Sequence, residues 1–383
     1  MTTPLPTLLL LAATACQLVF GQPQTGTARR SASTSGGARP EKPWMLGPFR
    51  KMNAANPILR ANPNTTFDCP VRKETVHWEE KDVFNPATVV RNGKIYMIYR
   101  AEDVVGKHAG TSRLGLAVST DGIQFRRMPK PVFYPDNDPM KTYEWEGGCE
   151  DPRVVESPNG VYVMTYTAYD GDKARLCVAT SRDLENWQKQ GLAFGEAYNG
   201  KYRNEWSKSG SIVCRRMGDR LVAQKINDKY WMYWGDQAEL YVAMSDDLIH
   251  WIPLQKANGN LLAVAESRKG RHDSRLMEPG PPALITSRGI VLIYNGMNAP
   301  QNGDSNLPEG TYAAGQLLFD GNDPISLIDR SETYFFKPDQ PYEITGQVNN
   351  VCFLEGLTPY KGKWFLYYGT ADSKIAVATA PQR

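Results

Sequence analysis

The chain has 383 residues, 41% of them apolar, which is enough to bury a large core. Forty-four lysines and arginines against 41 aspartates and glutamates leave a formal charge of +3. With no long basic run, neither nucleic acid nor an anionic membrane is indicated as a partner. The four histidines (His77, His108, His250, His272) lie at unrelated offsets, and no phosphate-cradling glycine loop occurs, so a metal ion, a cofactor or a Ser-His-Asp triad has little support.

Residues 8–20 hold a leucine- and alanine-rich stretch too short to cross a bilayer, followed by Gly21-Gln22-Pro23. Residues 1–21 therefore read as a cleaved signal peptide, giving a secreted or luminal protein. Lys and Arg are missing from its start, and Ala13-Thr14-Ala15-Cys16 resembles a lipoprotein box only loosely. Residues 22–44, rich in Ser, Gly, Ala and Arg, read as a disordered linker. Asn64-Thr65-Thr66 is a glycosylation sequon. Five cysteines remain after leader removal: Cys69, Cys149, Cys177, Cys214 and Cys352. They read as buried small hydrophobes, with one bridge left open.

Residues 45–383 repeat one unit five times. Copies begin at Asn85 (NPATVVRNGKIYMIYR), Glu150 (EDPRVVESPNGVYVMTYTAY), Lys208 (KSGSIVCRRMGDRLVAQKINDKYWMYWG), Glu278 (EPGPPALITSRGIVLIYNG) and Asn350 (NVCFLEGLTPYKGKWFLYYG). Each contains a β-branched and aromatic strand, mostly preceded by a turn signal such as Asn92-Gly93 or Lys361-Gly362. Three copies continue into LGLAVSTDG, LCVATSRDL and LYVAMSDDL, where Ser and Asp form turns; Phe125, Trp187 and Trp251 follow and are expected to pack between units. Such a repeat predicts an all-β fold, a five-bladed β-propeller.

In that fold the openings of the repeats converge on a central funnel, and here they are polar: Asn85, Glu150-Asp151, Lys208-Ser209, Glu278 and Asn349-Asn350. Glu150 and Asp151 are adjacent on a strand, so alternation predicts opposite directions, one into the funnel and one toward Arg153 or backbone amides. Pro152 is expected to hold Asp151 extended. Glu278 also precedes a proline, and a pairing with Arg275 or Lys208 is its structural alternative. Asp151 and Glu278 together meet the minimum need of glycoside hydrolysis, an acid for the leaving oxygen and a base for water. A funnel favours the wide separation that goes with inversion. Asp236 and Asp372, at strand ends, are either ligands for sugar hydroxyls or surface turn acids.

These motifs resemble glycoside hydrolase family 130, the β-mannoside phosphorylases and β-mannosidases. The likeness covers about residues 80–380 and rests on NPA at Asn85, GGCEDPR at Gly147, Lys208-Ser209-Gly210, SDDLIHW at Ser245, EPGPPALIT at Glu278, GTYAAGQLLFD at Gly310 and YYGTADSKIAVAT at Tyr367. It implies a five-bladed propeller, Asp151 as general acid acting through a mannose hydroxyl, and Arg100 and Asp372 holding the mannosyl unit. Asn85, Glu150, Arg153, Lys208, Asp236 and Asn295 complete the candidate substrate-binding set. Phosphorylases of the family commonly show Tyr-His-Gly where this chain has Tyr294-Asn295-Gly296, and Glu278 stands where phosphate would approach. The expectation is thus a secreted inverting β-mannosidase, closest to the β-1,2-mannosidase branch, with Glu278 as base and water as co-substrate. The alternatives are a phosphorylase using inorganic phosphate and a glycan-binding propeller without turnover.

Overall fold

A computed structural model describes residues 41–108 and 110–382. The leader and most of the linker lie outside the described residues. At the linker's end the chain is already anchored: Lys42 Nζ and Trp44 Nε1 both donate to Asp329, at 2.6 and 2.8 Å.

Among the described residues the fold is all-β, with three helices of four residues each. Its strands form successive antiparallel meanders. The first joins Asp82–Arg91, Lys94–Glu102 and Ser112–Ser119, with short Arg126–Arg127 outside. The second joins Gly148–Glu156, Tyr162–Tyr169, Ala174–Ser181 and Trp187–Leu192. The third runs Ser211–Met217, Tyr230–Trp234, Glu239–Ser245 and Trp251–Pro253. In the fourth, a broken inner strand (Leu276–Pro279, then Ala283–Thr286) pairs with Gly289–Met297, followed by Tyr312–Phe319 and Leu327–Arg330. The last holds Cys352–Tyr360, Lys363–Thr370 and Lys374–Pro381. Its outer strand comes from the other end of the chain, Arg50 lying opposite Thr379.

Local chemistry explains the hairpins. Asn92 (φ 51°) with Gly93 (φ 69°), and Lys361 (φ 47°) with Gly362 (φ 77°), form two-residue turns between the pairs Arg91–Lys94 and Tyr360–Lys363. Positive φ at both turn residues matches the twist of the strands. The Ser-x-Asp turns recur at the outer edge. Ser119, Ser181 and Ser245 accept the amides of Gly122, Leu184 and Leu248 at 2.8, 2.8 and 2.9 Å. Burial between meanders supplies the packing. Leu176 and Val178 meet Met232, Ala243 and Trp251 in one cluster; Met97 and Tyr99 meet Phe365 and Tyr367 in another. Trp251 is fully buried, whereas Trp187 and Phe125 are half-buried. The five described cysteines are all free and buried.

Candidate active site

The inner strands carry the site, and they do not run straight. Pairing slips between Phe84 and Pro86, between Glu150 and Arg153, and between Leu354 and Gly356. Each slip is a bulge that inserts a residue and re-aims its side chain. Asn85 (φ 46°) and Asp151 (φ 48°) sit in two of them, and Ser209 (φ 59°) opens the third meander in the same backbone state. That state is costly for residues with a side chain and persists only where the surroundings fix it. Asp151 is therefore not extended ahead of its proline as expected. Nor do Glu150 and Asp151 face opposite ways, since both accept from Arg100, at 2.8 and 3.1 Å.

Asp151 is 3% exposed and held by three donors. Asn85 Nδ2 and Arg100 reach Oδ1 at 2.9 and 3.1 Å, and Lys208 Nζ lies 3.1 Å from Oδ2. Burial pushes its pKa up, but Lys208, Arg100, Asn85 and Arg153 outweigh burial and hold the carboxylate well below its usual range. Glu278, also buried, accepts a hydrogen bond from the Ser209 hydroxyl. Its carboxyl is pushed up to about 7, first by burial and then by the negative charges of Asp236 and Asp151, with Lys208 opposing. Lys208 thus acts on both acids. Asp372 (φ 47°) is likewise raised to about 7, by burial and by Asp151 and Glu102 against Arg100.

The remaining expected residues divide into two groups. Arg100 stacks over Phe84 at 4.6 Å and donates to Ser112, Glu102, Glu150 and Asp151. Asp236 is half-buried and accepts the Trp206 indole N–H. Arg153 and Asn295, expected to contact substrate, are instead fully engaged in the wall. Arg153 is 2% exposed and donates to the carbonyls of Gly280, Pro279 and Asp151 at 2.8, 2.6 and 3.2 Å, tying the second meander to the fourth. Asn295, fully buried opposite Glu278, clasps the backbone of Leu354: Nδ2 donates to its carbonyl (3.0 Å) and Oδ1 accepts its amide (2.8 Å). Asn295→Ala leaves both backbone groups unpaired. It is expected to cost about 2–4 kcal/mol of stability in a urea unfolding curve; an unchanged midpoint would show that the clasp contributes nothing.

Two residues were not anticipated. Glu355 occupies the third bulge, fully buried, with Arg153 as its ion-pair partner at 3.2 Å. Burial pushes its carboxyl well above the usual range, with Asp151 and Glu278 adding to the effect and Arg153 opposing it. Of the fifth opening expected at Asn349-Asn350, Asn349 is exposed and Asn350 half-buried. A dipeptide series carries the signal: Asn85-Pro86, Asp151-Pro152, Ser209-Gly210, Pro279-Gly280, Glu355-Gly356. At the glycines of this series the inner strands pack too tightly for a side chain. A Cβ on Gly280 would come 2.8 Å from the Leu354 carbonyl, and one on Gly356 would come 2.8 Å from the Pro86 carbonyl. Tyr312 is the second addition. Its hydroxyl is pushed up by burial and by the charges of Glu278, Asp372 and Asp236, which places it among the site's carboxylates.

A family profile described as beta-1,4-mannooligosaccharide phosphorylase matches residues 49–383. A curated relative, the 1,2-beta-oligomannan phosphorylase of Thermoanaerobacter sp. (strain X514), is 34% identical over 311 residues, covering 79% of this chain and 90% of its own. Among solved structures, a glycosyl hydrolase from Bacteroides ovatus is 47% identical, with a TM-score of 0.86 and coverage of 89% of this chain and 96% of its own. Another, 46% identical with a TM-score of 0.86 and coverages of 89% and 98%, comes from work stating that "the GH130 family of mannoside phosphorylases contains glycoside hydrolases that target beta-1,2 mannosidic linkages in Candida mannan". With the profile matched over most of its length, the chain belongs to glycoside hydrolase family 130.

Proposed function

We propose that this protein cleaves β-mannosidic bonds in manno-oligosaccharides, β-1,2 bonds first among them, by hydrolysis with inversion, and that its meanders are the five blades of one propeller. Asp151 and Glu278 are the acid–base pair. The observation that carries hydrolysis is the setting of Glu278: a buried carboxyl bonded by Ser209, which burial pushes up to about 7. A general base works best when its pKa lies near the working pH. The cations around it are also already engaged. Arg100 faces Glu102, Glu150 and Asp151, Lys208 faces Asp151, and Arg153 is taken up by the carbonyls of Gly280 and Pro279. A phosphate dianion needs charge-assisted donors of its own, and Glu278 and Asp372 would repel it.

Lys208 and Arg100 favour the charged form of Asp151, whereas a general acid must arrive protonated. Delivering a proton therefore requires the bound sugar to replace part of the Lys208 and Arg100 contacts, which fits a relay through a sugar hydroxyl better than direct donation.

The second reading is phosphorolysis, and the relatives favour it over hydrolysis. The family description and the curated Thermoanaerobacter relative are both named for phosphorylases. One assay separates the two. Purified protein is given β-1,2-mannobiose in phosphate-free buffer and again with inorganic phosphate. Hydrolysis predicts free mannose at the same rate in both, whereas mannose 1-phosphate formed only with phosphate would establish the phosphorylase. The leader read over residues 1–21 makes export part of this proposal, and a phosphorylase outside the cell would release its sugar phosphate there.

A further inference from the structure

One cavity beside the site has no part in the chemistry above. It measures about 600 Å³ and lies against the third meander, with Trp206, Trp234, Tyr241, Tyr202, Gln237 and Glu239 among its lining. Trp206 is 42% exposed, yet it is fixed in place: its indole N–H reaches both carboxylate oxygens of Asp236, at 2.9 and 3.0 Å. Trp234 is 3% exposed, and its indole N–H has no acceptor. Buried donors of this kind are normally satisfied, and an orphan calls for a partner. Its ring leans on Tyr241 at 5.1 Å, whose hydroxyl donates to Glu239 at 2.6 Å.

Two contacts link the wall of the cavity to the catalytic carboxyls, through Asp236 and through Gln237. The charge of Asp236 acts on both Lys208 and Glu278. Gln237, in the cavity lining, accepts the amide of Met277 through its carbonyl at 2.9 Å, and Met277 immediately precedes Glu278.

We infer that this cavity is a subsite for the distal sugar units of an oligosaccharide whose scissile bond lies at Asp151 and Glu278. A pyranose presents a flat C–H face and a rim of hydroxyls. Fixed aromatic faces bury the first at little entropic cost, and the Glu239 carboxylate and Gln237 amide in the lining can bond the second. The lining balances the acids Glu205 and Glu239 with Lys201 and Lys256, which suits an uncharged glycan. The sugar chemistry stands on the cavity alone; the identity of the sugars rests on the β-mannoside reading above.

The test uses the purified full chain with β-1,2-mannobiose and β-1,2-mannotetraose. Trp206→Ala and Tyr241→Ala are each expected to lower the ratio of kcat/KM for the tetrasaccharide over the disaccharide roughly tenfold, the scale of one lost aromatic contact. A ratio within about twofold of the unmodified protein in both variants would overturn the subsite. If neither sugar is turned over by the unmodified protein, the β-mannoside reading fails separately, and tryptophan fluorescence then decides. Saturable quenching by mannotetraose that disappears in both variants upholds the subsite, and its absence in the unmodified protein removes it.

Discussion

Asp151→Asn is expected to lower kcat/KM on β-1,2-mannobiose at least ~100-fold, the usual scale of a lost acid–base group. The substitution keeps shape and one acceptor but removes the charge on which Lys208, Arg100 and Asn85 converge. It also has a directional side effect. The negative charge of Asp151 helps raise Glu278, so removing it lowers the pKa of Glu278, and any residual activity should show its neutral-range limb displaced to lower pH. The measurement is a pH–rate profile of the variant beside the unmodified enzyme. Near-normal turnover would take Asp151 out of the mechanism, whereas a large loss with no displacement of the limb would mean that Asp151 and Glu278 do not sense each other.

Glu278→Gln is expected to produce a loss of similar size and to abolish the limb near pH 7. The sign of that limb in the unmodified enzyme assigns the role. A base must be ionised, so the rate should climb as pH rises to about 7 and then level; a proton donor would give the reverse. Misfolding is not a rival explanation, because linkage runs the other way. The folded pKa of Glu278, about 7, exceeds its ordinary 4.5. The native state therefore binds the proton more tightly, and stability drains away as pH rises from about 4.5 to 7. A neutral glutamine removes that penalty and can still bond Ser209, so the variant should unfold at or above the unmodified midpoint at pH 7. A variant of full activity would leave the base unassigned and strengthen the case for phosphate as the attacking group.

The meanders were legible because their determinants are local. Period-two apolar runs such as KIYMIYR, the Asn92-Gly93 and Lys361-Gly362 turns, and the Ser-x-Asp caps act within a few residues of chain, and each copy repeats them. Convergence of the openings on shared acids was legible for the same reason, once repeated units imply a common axis. The site's wiring was not. The sequence points Arg153 toward its neighbouring acids or the substrate, but Gly280, 127 residues away, takes its Nε–H. Asn295 looked like a replaced phosphate ligand until Leu354, 59 residues away, occupied both ends of its amide. Glu355 stands in the middle of an apolar strand, where no local signal marks it.

The bulges explain much of this gap. Alternation along a strand sends Glu150 and Asp151 apart, and a proline disfavours the positive φ that Asp151 adopts. Three donors from other meanders overrule both local preferences. The same contacts set the protonation states: Asp151 and Glu278 are both carboxyls before proline, yet one is held charged and the other titrates about 7. By itself, the sequence determined the strands, their turns and the acids that open the repeats, since hydrophobic period and turn chemistry are properties of short segments. The tertiary structure alone decided which acids carry charge and which cations are already spent, because those depend on burial and on neighbours that only folding brings within 3–4 Å.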